Sequence, residues 1–209
     1  MSRTRYNSPR REQAAAATRQ AILDAARELF ATQGYSRTTV GQIAEVAQVA
    51  ANTVYVSVGG KAQLLAAIMD YGSGDPAAAE ALAAVARSTR PAEVIRLTAK
   101  GVRIVYERHA QGVAILIDSA KVDPAAAEIY QEAVARFRAG LDQCAARLEQ
   151  LGALGSTKEG RASDMFWYLF GFMSWRTLTT DLGWSWDEAE QWLAQRAIDA
   201  LLTRSRRTQ

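Results

Sequence analysis

The chain has 209 residues, 49% hydrophobic and 22% charged, with a net charge of +3. This is an ordinary globular composition, long enough for one large domain or one small and one medium domain. The single cysteine, Cys144, excludes an intrachain disulfide framework and fits a reducing cytoplasm, which is the expected location.

The charge is unevenly placed. Residues 1–61 carry a net +4 and the remainder a net −1. A basic first quarter on a near-neutral body points to an anionic partner for that quarter, or to a solvated tail. The opening MSRTRYNSPRRE has no apolar core region, so no signal peptide is expected. Its Arg3, Arg5, Arg10 and Arg11 stand without apolar periodicity, and residues 1–15 read as a basic flexible arm. A first helix is predicted from about Thr18, with Ile22, Ala25, Ala26, Leu29 and Phe30 at helical spacing and Gly34 as its stop. Thr39-Val-Gly-Gln42 is a capping box that opens a short helix through Ile43, Ala44, Val46 and Ala47.

Residues 49–65, VAANTVYVSVGGKAQLL, pose the main ambiguity. A run rich in Val and Tyr, with apolar residues at spacing two before Gly-Gly, suggests a strand entering a hairpin. The segment that follows, KAQLLAAIMD, has helical propensity and period, so no second strand is available to pair with it. A lone strand would leave its backbone groups unsatisfied, and the run is therefore predicted to be a short helix formed against propensity. Another helix starts at Lys61 and ends in YGSGDP, 71–76, the best domain boundary in the chain.

Beyond it, helices are predicted near 76–88, 91–109, 111–119, 124–152, 158–182 and 185–203, with Pro76, Pro91 and Pro124 at first-turn positions. Ser185-Trp-Asp-Glu188 is a second capping box, after the stop at Gly183. The run MFWYLFGFMSW, 165–175, is about half the ~20 residues that span a bilayer and reads as a buried helix, so no membrane partner is expected. The expected architecture is all-α: a three-helix helix-turn-helix domain at 16–71, and a larger helical domain at 76–203.

The stretch TVGQIAEVAQVAANTVYVSV, 39–58, has the pattern of a helix-turn-helix: small Ala44 in the first helix, Val49 after the turn, and Val54 plugging the second helix onto the first. Together with TRQAILDAARELFATQGYSRTTV before it and GGKAQLL after it, this stretch resembles the DNA-binding domain of the TetR (tetracycline-repressor-like) family over about residues 16–66. Three positions depart from the family pattern. Gln48 stands where a turn glycine is usual, Ala50 where a Ser or Thr cap is usual, and Val58 where an aromatic is usual.

In such a domain the N-terminal side chains of the second helix meet base edges in the major groove. Here these are Ala51, Asn52 and Thr53, beside Ala50; Asn52 suits adenine, and the Ala and Thr methyls suit thymine. The resemblance gives Tyr55 a phosphate contact through its hydroxyl, alongside packing of its ring. Thr38 and Thr39 open a helix that crosses the backbone, where they serve phosphate or plain capping. Lys61, in the first turn of a helix, opposes the macrodipole unless a phosphate sits there.

All five tryptophans fall between 167 and 192. The run DLGWSWDEAEQWLAQRAIDALL also resembles the end of the chain in this family, which implies a homodimer through the last two helices, 158–182 and 185–203. The resemblance further implies a cavity for a small apolar or aromatic effector, with Tyr106, His109, Trp167, Phe170 and Trp175 as candidate lining; each is also an ordinary core residue. No catalytic set, metal-ligand spacing or cofactor motif appears, since Cys144 and His109 stand alone. The expected function is a dimeric, ligand-responsive repressor of a palindromic DNA operator, with the signal carried by the helix at 61–71. The competing readings are an all-α ligand-binding or scaffold protein with a vestigial helix-turn-helix, and a small all-α enzyme for which no residue speaks.

Overall fold

The structure, a computed structural model, describes residues 9–73, 75–154 and 159–202. Its elements are α1 (Pro9–Gln33), α2 (Val40–Val46), α3 (Ala51–Ser57), α4 (Lys61–Ser73), α5 (Pro76–Arg87), α6 (Pro91–Ala120), α7 (Pro124–Gln150), α8 (Glu159–Phe170), α9 (Phe172–Arg176), a π-helical turn (Thr177–Asp181) and α10 (Trp186–Leu201). No strand occurs among the described residues, and the expected all-α class holds.

The chain forms two compact units. The first takes the described residues up to Tyr71 together with Gln111–Gln131; the second takes Gly72–Ala110 and the described residues from Glu132 onward. In the first unit α1 packs on both α2 and α3. The core there is Ile22, Leu23, Ala26 and Phe30 of α1, Ile43 of α2, Val54 of α3, Leu64 and Leu65 of α4, and Leu116 of α6. In the second unit α10 packs on α8 and on the π-helical turn, around Phe166, Phe170, Trp175 and Leu193.

Three elements differ from expectation. Helix α1 begins at Pro9 rather than near Thr18, so Arg10 and Arg11 are helical, whereas Arg3 and Arg5 lie outside the described residues. The added turns contain Ala14–Ala17, which are exposed; they are helical through propensity and bury no face that a periodicity could reveal. The predicted helices at 91–109 and 111–119 are one helix, α6. Its Gly112 is buried, and a Cβ there would touch Ile68, so packing offsets the roughly 1 kcal/mol that glycine costs inside a helix. The predicted helix at 158–182 is broken at Gly171 and widens into the π-helical turn.

The starts of α5 and α10 follow the sequence. Asp75 caps α5 by accepting from the Ala77 N–H at 2.9 Å, with Pro76 next. The Ser185–Glu188 capping box forms in full. Asp75 also accepts two hydrogen bonds from Arg108 Nη1, at 3.0 and 3.1 Å, and pairs with His109 Nε2 at 3.1 Å. Burial pushes the Asp75 carboxyl up, but the Ala77 N–H, His109 and Arg108 outweigh it and hold it below the usual range.

Candidate nucleic-acid interface

Helix α2 is defined locally at both ends. The Thr39 Oγ1 accepts from the Gln42 N–H at 3.2 Å, and the Gln42 Oε1 accepts from the Thr39 N–H at 2.9 Å, so the capping box is complete. At the other end the Val49 N–H reaches the Ala44 carbonyl at 2.9 Å and the Gln48 N–H reaches the Glu45 carbonyl at 3.1 Å. That pair of bonds is a Schellman motif, and it needs a left-handed residue at its centre. Gln48 supplies it at φ 56°, the only positive-φ residue other than glycine among the described residues. A side chain in that region costs roughly 1 kcal/mol.

Helix α3 has much less local support. Its N-cap, Ala50, makes no side-chain hydrogen bond. It is held instead by Val54, the one residue of α3 that is wholly buried, and by Arg19 of α1, whose Nη1 donates to the Ser57 carbonyl at 2.7 Å. Gly59 follows in the left-handed region at φ 117°, and a Cβ there would lie 2.9 Å from Cβ of Gln63. The Gly60 N–H donates to Gln63 Oε1 at 3.0 Å and opens α4. The Gly-Gly is thus a helix-to-helix joint and not a hairpin turn.

The outward face of α3 follows from helix geometry. Residues two positions either side of Val54 lie about 200° around the helix and so point away from the core. These are Asn52 and Val56, one turn apart on the same line. Both are exposed, Val56 by 80%. Ala51 and Tyr55 flank this line and are also exposed, Tyr55 by 56%, whereas Thr53 is half-buried on the other flank. Val56 is not among the residues expected from the sequence, although its position one turn after Asn52 marks it.

Other predicted residues are differently placed. Thr38 is buried, and its hydroxyl donates to the Gly34 carbonyl at 3.0 Å. It secures the α1–α2 turn and offers no hydroxyl to a phosphate. Thr39 is exposed, with its hydroxyl engaged in the α2 cap. The Lys61 ammonium donates to the Tyr35 carbonyl at 2.8 Å and lies 4.2 Å from the centre of the Tyr35 ring. The Tyr35 phenol is pushed up to about 12 by burial, with a smaller contribution from Asp123. Arg37 likewise turns its Nε to the Gln33 carbonyl at 2.7 Å. Several cations of the basic first quarter therefore sit at carbonyl ends of helices, where a cation is favoured.

In the second unit, Tyr106, Trp167 and Trp175 join Phe137, Phe172 and Trp186 in one array of rings, with neighbouring centroids 4.9 to 6.2 Å apart. Burial raises the Tyr106 phenol. Phe170 stacks on Phe166 instead, and its carbonyl accepts from Trp175 Nε1 at 3.2 Å. His109 belongs to the Asp75 cluster, apart from this array. A cleft of about 380 Å³ lies in the first unit, between the end of α1 and the end of α6; none of the five predicted lining residues borders it. No group of three or more His, Cys, Asp or Glu side chains suited to a metal ion occurs among the described residues.

Two short helices joined by a tight turn, the second held inward by one residue and turned outward along an uncharged face, define a helix-turn-helix. Residues 22–68 match the family described as bacterial regulatory proteins, tetR family, and the resemblance seen in the sequence stands. The structure resembles NalD, the secondary repressor of the MexAB-OprM multidrug efflux pump in Pseudomonas aeruginosa, at 24% identity and a TM-score of 0.74, covering 91% of this chain and 98% of that one. It resembles SmeT, in a complex with triclosan, at 20% identity and a TM-score of 0.72, covering 90% and 93%. It also resembles the fatty acid degradation regulator FadR from Bacillus halodurans, at 16% identity and a TM-score of 0.71, covering 96% and 100%. The fold is that of TetR-family regulators. No curated protein matches the sequence.

Proposed function

We propose that the protein is a DNA-binding transcriptional regulator, a repressor that binds a palindromic operator as a homodimer and leaves it when a small apolar or aromatic effector binds the second unit. The observation that carries this reading is α3: inside a segment matching the tetR family, it is anchored by Val54 and directs Asn52 away from the core. A helix so presented fits the major groove. The DNA-facing set is Ala51, Asn52, Thr53, Tyr55 and Val56, with Thr39 and Lys61 near the phosphates.

The dimer is supported by exposed apolar residues on the last elements, Tyr168, Met173, Leu182 and Trp192, which a second copy would cover. Two copies would place two α3 helices about one DNA turn apart, roughly 34–36 Å. The effector reading rests on the array around Tyr106, Trp167 and Trp175, apolar and aromatic as such a ligand requires. SmeT's complex with triclosan is an example of an aromatic ligand on this fold. An effector causes release only by binding one arrangement of the dimer more tightly than the other; α4, which begins at Lys61, is the proposed relay.

The test is selection of duplexes from a random pool by the full chain, followed by binding measurements in low salt. A palindromic site is expected to emerge. Asn52→Ala should relax the preference at one base pair and leave the rest of the site in place. Recovery of no preferred duplex would favour the scaffold reading.

A further inference from the structure

We infer that Val56 is a specificity-determining residue that reads the 5-methyl group of a thymine, so that each half-site is recognised as an adenine and a thymine close together. This rests on the DNA-binding reading above and adds the chemistry of the site. Between Thr38 and Gly60 the only charged residue is Glu45, on α2. Helix α3 therefore has no Arg or Lys to pair with guanine N7 and O6, the commonest specific contact in the major groove. Its outermost line holds two groups only, the Asn52 amide and the Val56 isopropyl. The amide matches the N6 and N7 edge of adenine, and the isopropyl matches the thymine methyl, the one apolar group that the groove displays.

Their separation sets the spacing. Residues i and i+4 stand about 5–6 Å apart at Cβ. Base pairs follow one another at about 3.4 Å along a strand. The adenine and the thymine methyl thus fall within two base-pair steps of each other. Val56 is also the most exposed large apolar side chain among the described residues, at 80%. Docking on a methyl-bearing surface removes that area from water.

The experiment uses the full chain and the duplex it selects from a random pool, with each thymine replaced in turn by deoxyuridine, which lacks only the methyl. One thymine per half-site, within two base pairs of an adenine, is expected to matter. Its replacement should weaken the wild type about fourfold, the value of one buried methyl-sized group. Val56→Ala should bind the thymine and deoxyuridine duplexes alike, and a thermal melt should show it folded, since alanine suits an exposed helix position. Asn52→Ala should stay sensitive to deoxyuridine. Tolerance of deoxyuridine at every position overturns the methyl readout while leaving DNA binding intact, as does equal sensitivity in Val56→Ala. Failure to select any duplex overturns both readings together.

Discussion

Helix α3 and the segment from Phe166 to Asp181 depart from their sequences in opposite directions. In α3, residues with strand propensity form a helix; in the second segment, residues patterned as one long helix break at Gly171 and then widen into a π-helical turn. The first departure is made by packing. One buried valine and the Arg19 bond to Ser57 hold a helix that has no side-chain cap. The second is permitted by Gly171, which has no Cβ to meet the Trp167 carbonyl. Gly171 is extended, at φ −67° and ψ 162°, and its N–H meets the Trp167 carbonyl at 2.9 Å. Propensity decides neither region: tertiary contacts hold the first, and the missing Cβ of Gly171 permits the second.

The sharpest test of the second region is Gly171→Ala. A Cβ there would lie 2.4 Å from the Trp167 carbonyl oxygen, a backbone atom that cannot swing aside. The end of α8 would have to shift, pulling Phe172 away from Phe137 and Trp167. We expect a loss of about 3 kcal/mol, at the upper end for overpacking, seen as a fall in melting temperature. If alanine instead stabilised the chain by the roughly 1 kcal/mol of its better helix propensity, the break would not depend on the missing Cβ.

Val54→Ala tests the first region. It removes two methyl groups from a fully buried site and should cost about 2 kcal/mol. Alanine is the better helix former, so a helix governed by propensity would be strengthened by the same change. Faster hydrogen exchange at residues 51–57, with the rest of the first unit less affected, is the expected sign that packing holds α3.

Ala50→Ser separates the two influences more finely. The Ala50 backbone already has N-cap geometry, at φ −70° and ψ 146°, but lacks a side-chain acceptor. Serine should add about 1 kcal/mol by accepting a first-turn N–H. A rise in melting temperature is expected, and an unchanged value would mean that α3 gains nothing from local capping.

What was legible in the sequence follows the range of the interactions involved. The Thr39–Gln42 and Ser185–Glu188 boxes and the stop at Gly34 depend on residues within a few positions, and each is visible as a short pattern; the turn at Gln48 is marked only by its departure from the family pattern. The start of α1 was hidden because exposed alanines carry no periodicity. The break at Gly171 was hidden because the residues around it are apolar on nearly all sides, so that the pattern does not change there. Tyr106, Trp167 and Trp175 could be named as aromatic candidates, but their partners Phe137, Phe172 and Trp186 are set by tertiary packing. The hydrogen bonds of Thr38 and Lys61 were hidden for the same reason: their acceptors, the Gly34 and Tyr35 carbonyls, are set only by the folded turn.

The smallest expected effect is that of Gln48→Gly, and its sign is the informative part. Gln48 holds φ 56° at the centre of the Schellman motif, and removing its Cβ relieves roughly 1 kcal/mol of left-handed strain. Glycine also enlarges the unfolded ensemble, which offsets about 0.5–1 kcal/mol of that gain. The net is a stabilisation of a few tenths of a kcal/mol or none, with the duplex preference unchanged because Gln48 lies in the turn, before the outward line of α3. A melting curve and a binding isotherm on the selected duplex check both parts. A clear loss of stability would mean that the Gln48 side chain contributes a contact that outweighs its strain, and the turn would then resemble α3, held by packing, more than the locally specified start of α2.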